Sequence, residues 1–243
     1  MEWARAKTIL IITFFLLNVI LGYQLWITKV ADSYFEQAGI REEVQQLLRS
    51  KNIRLEKEIP RETPQLREIT VTLSGDKNAI EPVRLERPFK LQQLARKRIA
   101  KDIEKQIPFI DEYEYDPIQS REGLYVMNQL YEQWPMFEIN LNLFYEEDEV
   151  YQFTATYAEI ESSLDEEEVK VLSAYRAIAF LAENVLAPGT VIEEVRLGYH
   201  GQVFDSDIQV LAPKWRIALA NGEVYYVHAI SGELEQTRLN EKP

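Results

Sequence analysis

Apolar and polar positions fall into distinct regimes along the chain. From Thr8 to Ile27 no residue is charged (TILIITFFLLNVILGYQLWI), and a helix of about 20 such residues crosses a hydrocarbon core of about 30 Å. From Ser33 to Ser50 the apolar residues Phe35, Ile40, Val44, Leu47 and Leu48 share one side of a predicted helix, which Gly39 weakens near its middle. Alternation then predicts short strands over 52–59 and 67–73, separated by the Pro60 to Pro64 breaker. Pro88 opens a predicted helix with Leu91, Ala95, Ile99, Ile103 and Ile107 at spacing four, closed by Pro108. Residues 123–131 read as a strand, and 138–145 with 149–158 as a hairpin around Glu146-Glu147-Asp148.

The same order recurs further on. A helix is predicted from Leu164 to Leu186, capped by Ser163-x-x-Glu166 and stopped by Pro188-Gly189. Strands follow over 192–199, 203–210, 214–220 and 223–230, the last two joined by Asn221-Gly222, the strongest short hairpin signal. The fold class expected is α+β: an N-terminal transmembrane helix, then an extracytoplasmic domain of two ββαβ-like units with antiparallel sheets. The expected division is a cytoplasmic stub (1–7), a transmembrane helix (8–27), a juxtamembrane helix (28–51), a first α+β unit (52–132) and a second (133–243).

Charge sets the orientation of the anchor. Arg5 and Lys7 precede the apolar run, whereas Lys29 is followed by Asp32 and Glu36, so the positive-inside bias places the N-terminus in the cytoplasm and the C-terminal domain outside the cell membrane. Trp3 at one end, with Tyr23 and Trp26 at the other, matches interfacial aromatic belts. A cleaved signal peptide is the competing reading, but the run is longer than a usual signal core and no A-x-A-like site follows. Within the run, Ile11, Phe15, Asn18, Gly22 and Leu25 form one helix face, with Gly22 allowing close approach and Asn18 offering a polar clasp to a neighbouring helix.

Composition narrows the function classes. The chain has 243 residues, 46% hydrophobic, enough for one large core or two small ones. It has no cysteine, which excludes disulfides, thiolate metal sites and a cysteine nucleophile. A formal net charge of -13 argues against nucleic acid as a partner. The excess is local: residues 28–130 hold 18 basic and 18 acidic residues, residues 131–243 hold 7 and 21. Arg87, Lys90, Arg96, Lys97, Arg98, Lys101 and Lys105, against Asp102 and Glu104, form a basic island. Within it Arg96, Lys97, Lys101 and Lys105 are the candidate contact face for an acidic partner or an anionic polymer.

Catalytic patterns are sparse. The two histidines, His200 beside Gly201 in an expected turn and His228 in the final hairpin, have no HExxH or HxH context, so both read as structural or surface residues. Asp205-Ser206-Asp207 opens like a calcium loop, but Val210 and Arg216 replace the glycine and glutamate that an EF-hand requires. Asp165-Glu166-Glu167-Glu168 reads as a helix first turn, where carboxylates complement the macrodipole. No GxSxG, P-loop or GxGxxG occurs. Neither cofactor nor metal is expected. A hydrolase using a carboxylate pair is the enzymatic alternative.

The stretch Glu2-Trp3-Ala4-Arg5-Ala6-Lys7-Thr8-Ile9, continuing through Leu17-Asn18 to Tyr23-Gln24, resembles the start of the YycI family. These are membrane-anchored accessory proteins of the YycG (WalK) sensor-kinase system in Gram-positive bacteria. The resemblance extends to overall layout and is weakest between Ile53 and Gln119. It implies a non-enzymatic regulator of a two-component system controlling cell-wall metabolism, acting with YycH on the sensor histidine kinase by contact through the anchor and the outside domain. The alternative is an independent envelope scaffold or sensor that binds a peptide or an anionic polymer. Trp215-Arg216-Ile217, Asn221-Gly222, Tyr225-Tyr226-Val227, Ala229 and Ser231-Gly232 resemble the final hairpin of PepSY-type domains, which bears on fold more than on function.

Overall fold

The computed structural model describes residues 3, 7, 13–21, 39–74, 81–94, 99–161, 167–201 and 207–237. Residues 13–21 are helical and exposed. Among the described residues no helix is long and apolar enough to cross a membrane; the remaining positions of the 8–27 run lie outside them.

The rest is mixed α+β and mostly sheet. Helix α1 covers residues 39–50. It is followed by β1 (Arg54–Leu55), β2 (Gln65–Leu66), β3 (Ile69–Ser74) and β4 (Val83–Lys90). Next come the single-turn α2 (Lys101–Glu104), β5 (Tyr113–Tyr115), β6 (Leu124–Tyr131), β7 (Trp134–Glu146), β8 (Glu149–Ala155), β9 (Tyr157–Glu161) and β10 (Val169–Lys170). Helix α3 (Ala174–Asn184) leads to β11 (Val191–His200), β12 (Ile208–Leu219), β13 (Val224–His228) and β14 (Leu234–Thr237).

The strands β14-β13-β12-β11-β7-β6-β5 lie side by side. All neighbours are antiparallel except β11, which meets β7 in parallel at Tyr199 and Met136, and meets β1 in parallel at residues 191 and 192. The expected boundary between 132 and 133 falls in the β6–β7 turn, where Glu132 has a φ of 57°.

Alternation sends Val195, Leu197, Trp215, Ile217, Tyr225 and Val227 to one face of β11–β13, where they pack against α3 and against Val44 and Leu48 of α1. Helix α3 offers Ala174, Ala177, Ile178, Leu181 and Ala182 to them, an i, i+3, i+4, i+7, i+8 stripe. Ser173 caps its start, the hydroxyl accepting from Arg176 N at 3.4 Å. The Lys51 ammonium closes its end by donating to the Ala182 carbonyl at 2.5 Å. A second core joins Leu85, Phe89, Ile103, Ile107 and Ile110 to Met127, Leu141, Leu143 and Val150.

Three expectations are corrected. Of the helix predicted over 88–107, residues 88–90 belong to strand β4, residues 91–94 and 101–104 form isolated turns, and residues 95–98 lie outside the described residues. The backbone of Phe89 and Lys90 is taken by β8, and Leu91 N donates to Asp148 O. Pro88 sits where the β4–β8 register breaks, between Arg84 and Phe89, a position that tolerates a missing N–H. Gln106 closes that break by accepting from Arg87 N at 2.9 Å and donating to Arg87 O at 3.1 Å. The spacing-four isoleucines reflect burial of Ile103 and Ile107, not one continuous helix.

The helix predicted from Leu164 begins at Ala174. Before it, Val169 and Lys170 pair with Leu66 and Gln65, Val171 N donates to Pro64 O and Leu172 N to Ala229 O, so these N–H groups are unavailable to an i−4 ladder. Ser163 to Glu166 lie outside the described residues, and Glu167 and Glu168 precede a strand instead of filling a helix turn. Finally, the strands expected over 203–210 and 214–220 are one, β12 running through Pro213. Residues 203–206 lie outside the described residues. The two hairpins stand where expected: Glu147 and Asp148 turn with φ of 49° and 67°, and Gly222 with 87°, the left-handed angles such tight turns need.

Candidate functional site

The face of β11–β13 opposite α3 is polar, and it is buried. In cross-strand register it carries Arg196 beside Arg216 beside Tyr226, and Gly198 beside Lys214 beside His228. Two arginines directly opposite one another repel unless each has its own carboxylate. The chain from β5 supplies them at i, i+2 spacing. Glu114 meets Arg196 at 2.5 Å, and Asp116 grips Arg216 through both oxygens, at 2.5 and 3.0 Å. Glu194 adds a third contact to Arg216 at 2.7 Å and is itself bonded to Lys57 at 3.2 Å.

Asp116 is 0% and Arg216 1% exposed. Asp116 Oδ1 also accepts from Ile118 N at 2.9 Å, and Phe137 lies under the guanidinium at 4.3 Å. Burial works against the Arg216 charge, but the Asp116 and Glu194 carboxylates outweigh it and hold the guanidinium above its ordinary value. Burial also pushes the Tyr226 phenol well above the usual tyrosine range, against the opposing pull of Arg216.

A second cluster continues the row. His200 Nε2 stands 2.6 Å from Glu138 Oε1, its Nδ1 faces Lys214 Nζ at 3.4 Å, and its ring lies against Tyr226 with centroids 3.7 Å apart and planes tilted by 32°. Lys214 bonds Glu235 on the neighbouring edge. An ammonium only donates, so Nδ1 accepts from Lys214 and the Nε2–H donates to Glu138. His200 is thus the buried end of β11, not a turn residue, with a carboxylate that sequence spacing did not reveal. Gly198 lets the layers close: a Cβ there would stand 2.5 Å from Pro135 O and 2.6 Å from the Phe137 ring. Together these contacts form a polar seam between the β11–β14 sheet and the chain from β5 to β7. Among the described residues no cluster of three or more His, Asp or Glu is arranged to hold a metal ion.

The candidate anchor face is partly described. Phe15 and Asn18 lie on the exposed helix 13–21; Ile11, Gly22 and Leu25 lie outside the described residues. Asn18 Nδ2 donates to Phe14 O at 2.8 Å, so one of its two amide N–H groups is satisfied within its own helix. Of the candidate basic face, Lys101 and Lys105 are exposed on and just after α2, while Arg96 and Lys97 lie outside the described residues. The seam itself was missed by sequence reasoning. Its only signal was the alternation Glu194-x-Arg196-x-Gly198-x-His200 against Lys214-x-Arg216, which reads as a solvated strand face.

A family model described as YycI protein matches residues 36–230. The chain belongs to the YycI family. In this YycI chain the match takes in the buried residues of both cores and every seam residue except Glu235. No curated protein matches it. Among solved structures, it is similar to an uncharacterized protein from Eubacterium rectale ATCC 33656, with 11% identity over 47% of this chain and 42% of that one and a TM-score of 0.36. The alignment therefore spans less than half of that protein, and at this score it carries no argument about this YycI chain.

Proposed function

We propose that this protein is a membrane-anchored, non-enzymatic regulator of the YycG (WalK) sensor histidine kinase, acting with YycH by direct contact at the outer face of the cell membrane. The YycI family match over residues 36–230 is the observation that carries this reading. The uncharged run from Thr8 to Ile27 and the basic residues before it support the anchor and its orientation. The anchor face built on Ile11, Phe15, Asn18, Gly22 and Leu25 packs beside the kinase anchor, and the outside domain sets the geometry of the assembly.

Copurification of the full chain with the kinase from detergent-solubilised membranes tests the partner. Recovery of the kinase at the level of an unrelated anchored protein sinks the reading. The anchor contact has its own test. Asn18 already donates one N–H to Phe14 O, so Asn18→Leu removes the second N–H and the acceptor oxygen that remain for a neighbouring helix. At roughly 0.6 kcal/mol for an interhelical hydrogen bond, it loosens the complex by about threefold. Gly22→Ile blocks close approach and costs more. Unchanged copurification of the double variant makes the anchor a tether and places the contact in the outside domain.

A further inference from the structure

The outer edge of β11 is interrupted. At its start β1 pairs with residues 191 and 192, and Glu56 N donates to Ile192 O; at its end β7 pairs at Tyr199. Between them, among the described residues, no strand pairs with this edge over Glu193 to Gly198, although β12 holds the other edge throughout. In a strand, alternate residues turn their N–H and C=O groups to opposite edges. The interrupted stretch therefore leaves a short row of donors and acceptors without a ladder partner. Val195 and Leu197 are buried at 8% and 4%, where unmet backbone groups are costly.

The same stretch opens on a cavity of about 350 Å³, lined by Val195, Arg196 and Leu197. Pro60 and Arg61 form one wall, Trp134 and Pro135 the other, and Trp215 contributes to the lining. That volume falls within the range of ligand-binding pockets. Pro60 lacks an N–H, and the segment it belongs to peels away from β11 after Glu56, so the chain does not fill its own ladder.

We infer that this gap is an acceptor slot for an extended peptide segment, which completes the edge of β11 between β1 and β7 by strand addition. Backbone hydrogen bonds supply the binding, and alternate side chains supply the selectivity. The walls favour apolar side chains that pack on Trp134 and Pro135. The charge of the lining sets a further preference: Arg196 is already held by Glu114, which leaves the exposed Arg61, beside Glu62, as the cation the lining presents to a guest. The guest is therefore an apolar strand with an acidic side chain directed at Arg61. About 3.3 Å of strand per residue over 193–198 gives a slot of roughly 20 Å, enough for a short segment only. This inference does not depend on the kinase reading, since it concerns a site on the purified chain.

The test selects random short peptides by display against the full chain in lipid nanodiscs, with empty nanodiscs as the counter-selection. The expected result is enrichment of apolar sequences bearing a carboxylate. N-methylation of alternate backbone amides of an enriched peptide should abolish binding in one of the two registers. Hydrogen exchange should show new protection confined to amides between Glu193 and Gly198. Arg61 is exposed, so Arg61→Glu leaves folding intact while weakening acidic peptides by about tenfold, and replacing the peptide carboxylate with lysine restores binding to that variant. The inference is overturned if nothing is enriched above empty nanodiscs. It is equally overturned if both N-methylated registers bind as well as the parent, or if protection appears elsewhere. Concentration-dependent protection of the same amides without peptide would assign the slot to a second copy of this chain and overturn the peptide reading.

Discussion

Removing Asp116 should cost more stability than any other single carboxylate change in the seam. The side chain is fully buried, holds Arg216 through both oxygens at 2.5 and 3.0 Å, and accepts from Ile118 N at 2.9 Å. Lys57, Arg216, Asp116 and Glu194 form a network of two cations and two anions. Asp116→Ala leaves that network with one excess positive charge on a guanidinium that is 1% exposed. Breaking a buried pair by deleting one partner costs about 3–5 kcal/mol, and the lost Ile118 contact adds about 1 kcal/mol. Urea unfolding of residues 28–243, followed by circular dichroism, measures the shift in midpoint, with an unchanged slope as the condition for comparison. Glu114→Ala is the control. It pairs with Arg196 from a side chain that is 51% exposed, so its loss should be at most about 1 kcal/mol. A loss at Asp116 no larger than at Glu114 would refute the argument that burial gives the Arg216 pairing its weight.

The phenols of Tyr113, Tyr199 and Tyr226 are each raised, chiefly by burial. A raised folded value means full stability below the ordinary tyrosine value of about 10 and loss as pH climbs above it, at up to roughly 1.4 kcal/mol per pH unit for each such group. Alkaline titration should therefore show the buried tyrosines ionising together with unfolding; tyrosinate absorbance that rises smoothly while the fold persists would count against it. Gly198→Ala drives a methyl into Pro135 O and the Phe137 ring and should cost about 1–3 kcal/mol in thermal or urea unfolding, with a loss under about 0.5 kcal/mol as the contrary result. Replacing Glu147 by Asn and Asp148 by Gly suits the left-handed angles of that turn and should raise stability by about 0.5–1 kcal/mol, a gain that a calorimetric melt would fail to show if the turn is formed otherwise.

What could be read from the sequence divides by how local the cause is. The Asn221-Gly222 and Glu147-Asp148 turns and the strands they join follow from neighbouring residues, as does the C-terminal half of the predicted second helix. The start of that helix did not, because Val169 and Lys170 pair with β2, Val171 N donates to Pro64 O and Leu172 N to Ala229 O, all partners more than 50 residues away in sequence. The spacing-four isoleucines after Pro88 mimicked a helix because β8 claims the backbone of Phe89 and Lys90. The seam was hidden for a related reason. Glu194, Arg196, Lys214 and Arg216 look like a solvated strand face until Glu114 and Asp116 are seen to cover it.

That hidden face bears on how the two sides of the β11–β13 layer divide their work. The α3 side of β11–β13 is apolar, and such a layer tolerates repacking as long as volume is conserved. The opposite side is joined to the rest of the chain by a bidentate Arg216–Asp116 pair, a His200–Glu138 contact and the close approach of Phe137 over Gly198. These contacts are directional. A one-residue slip of β5 would turn Glu114 and Asp116 away from Arg196 and Arg216 and leave four charges buried or unpaired. The seam therefore fixes one register between the β5–β7 chain and the β11–β14 sheet. The β11 gap lies within that arrangement, with Trp134 and Pro135 on one wall and Arg196 bound to Glu114. A slot whose walls come from both sides of a directional seam keeps its width only while the seam is intact. Asp116→Ala should accordingly weaken peptide capture at the slot even in conditions where the variant remains folded.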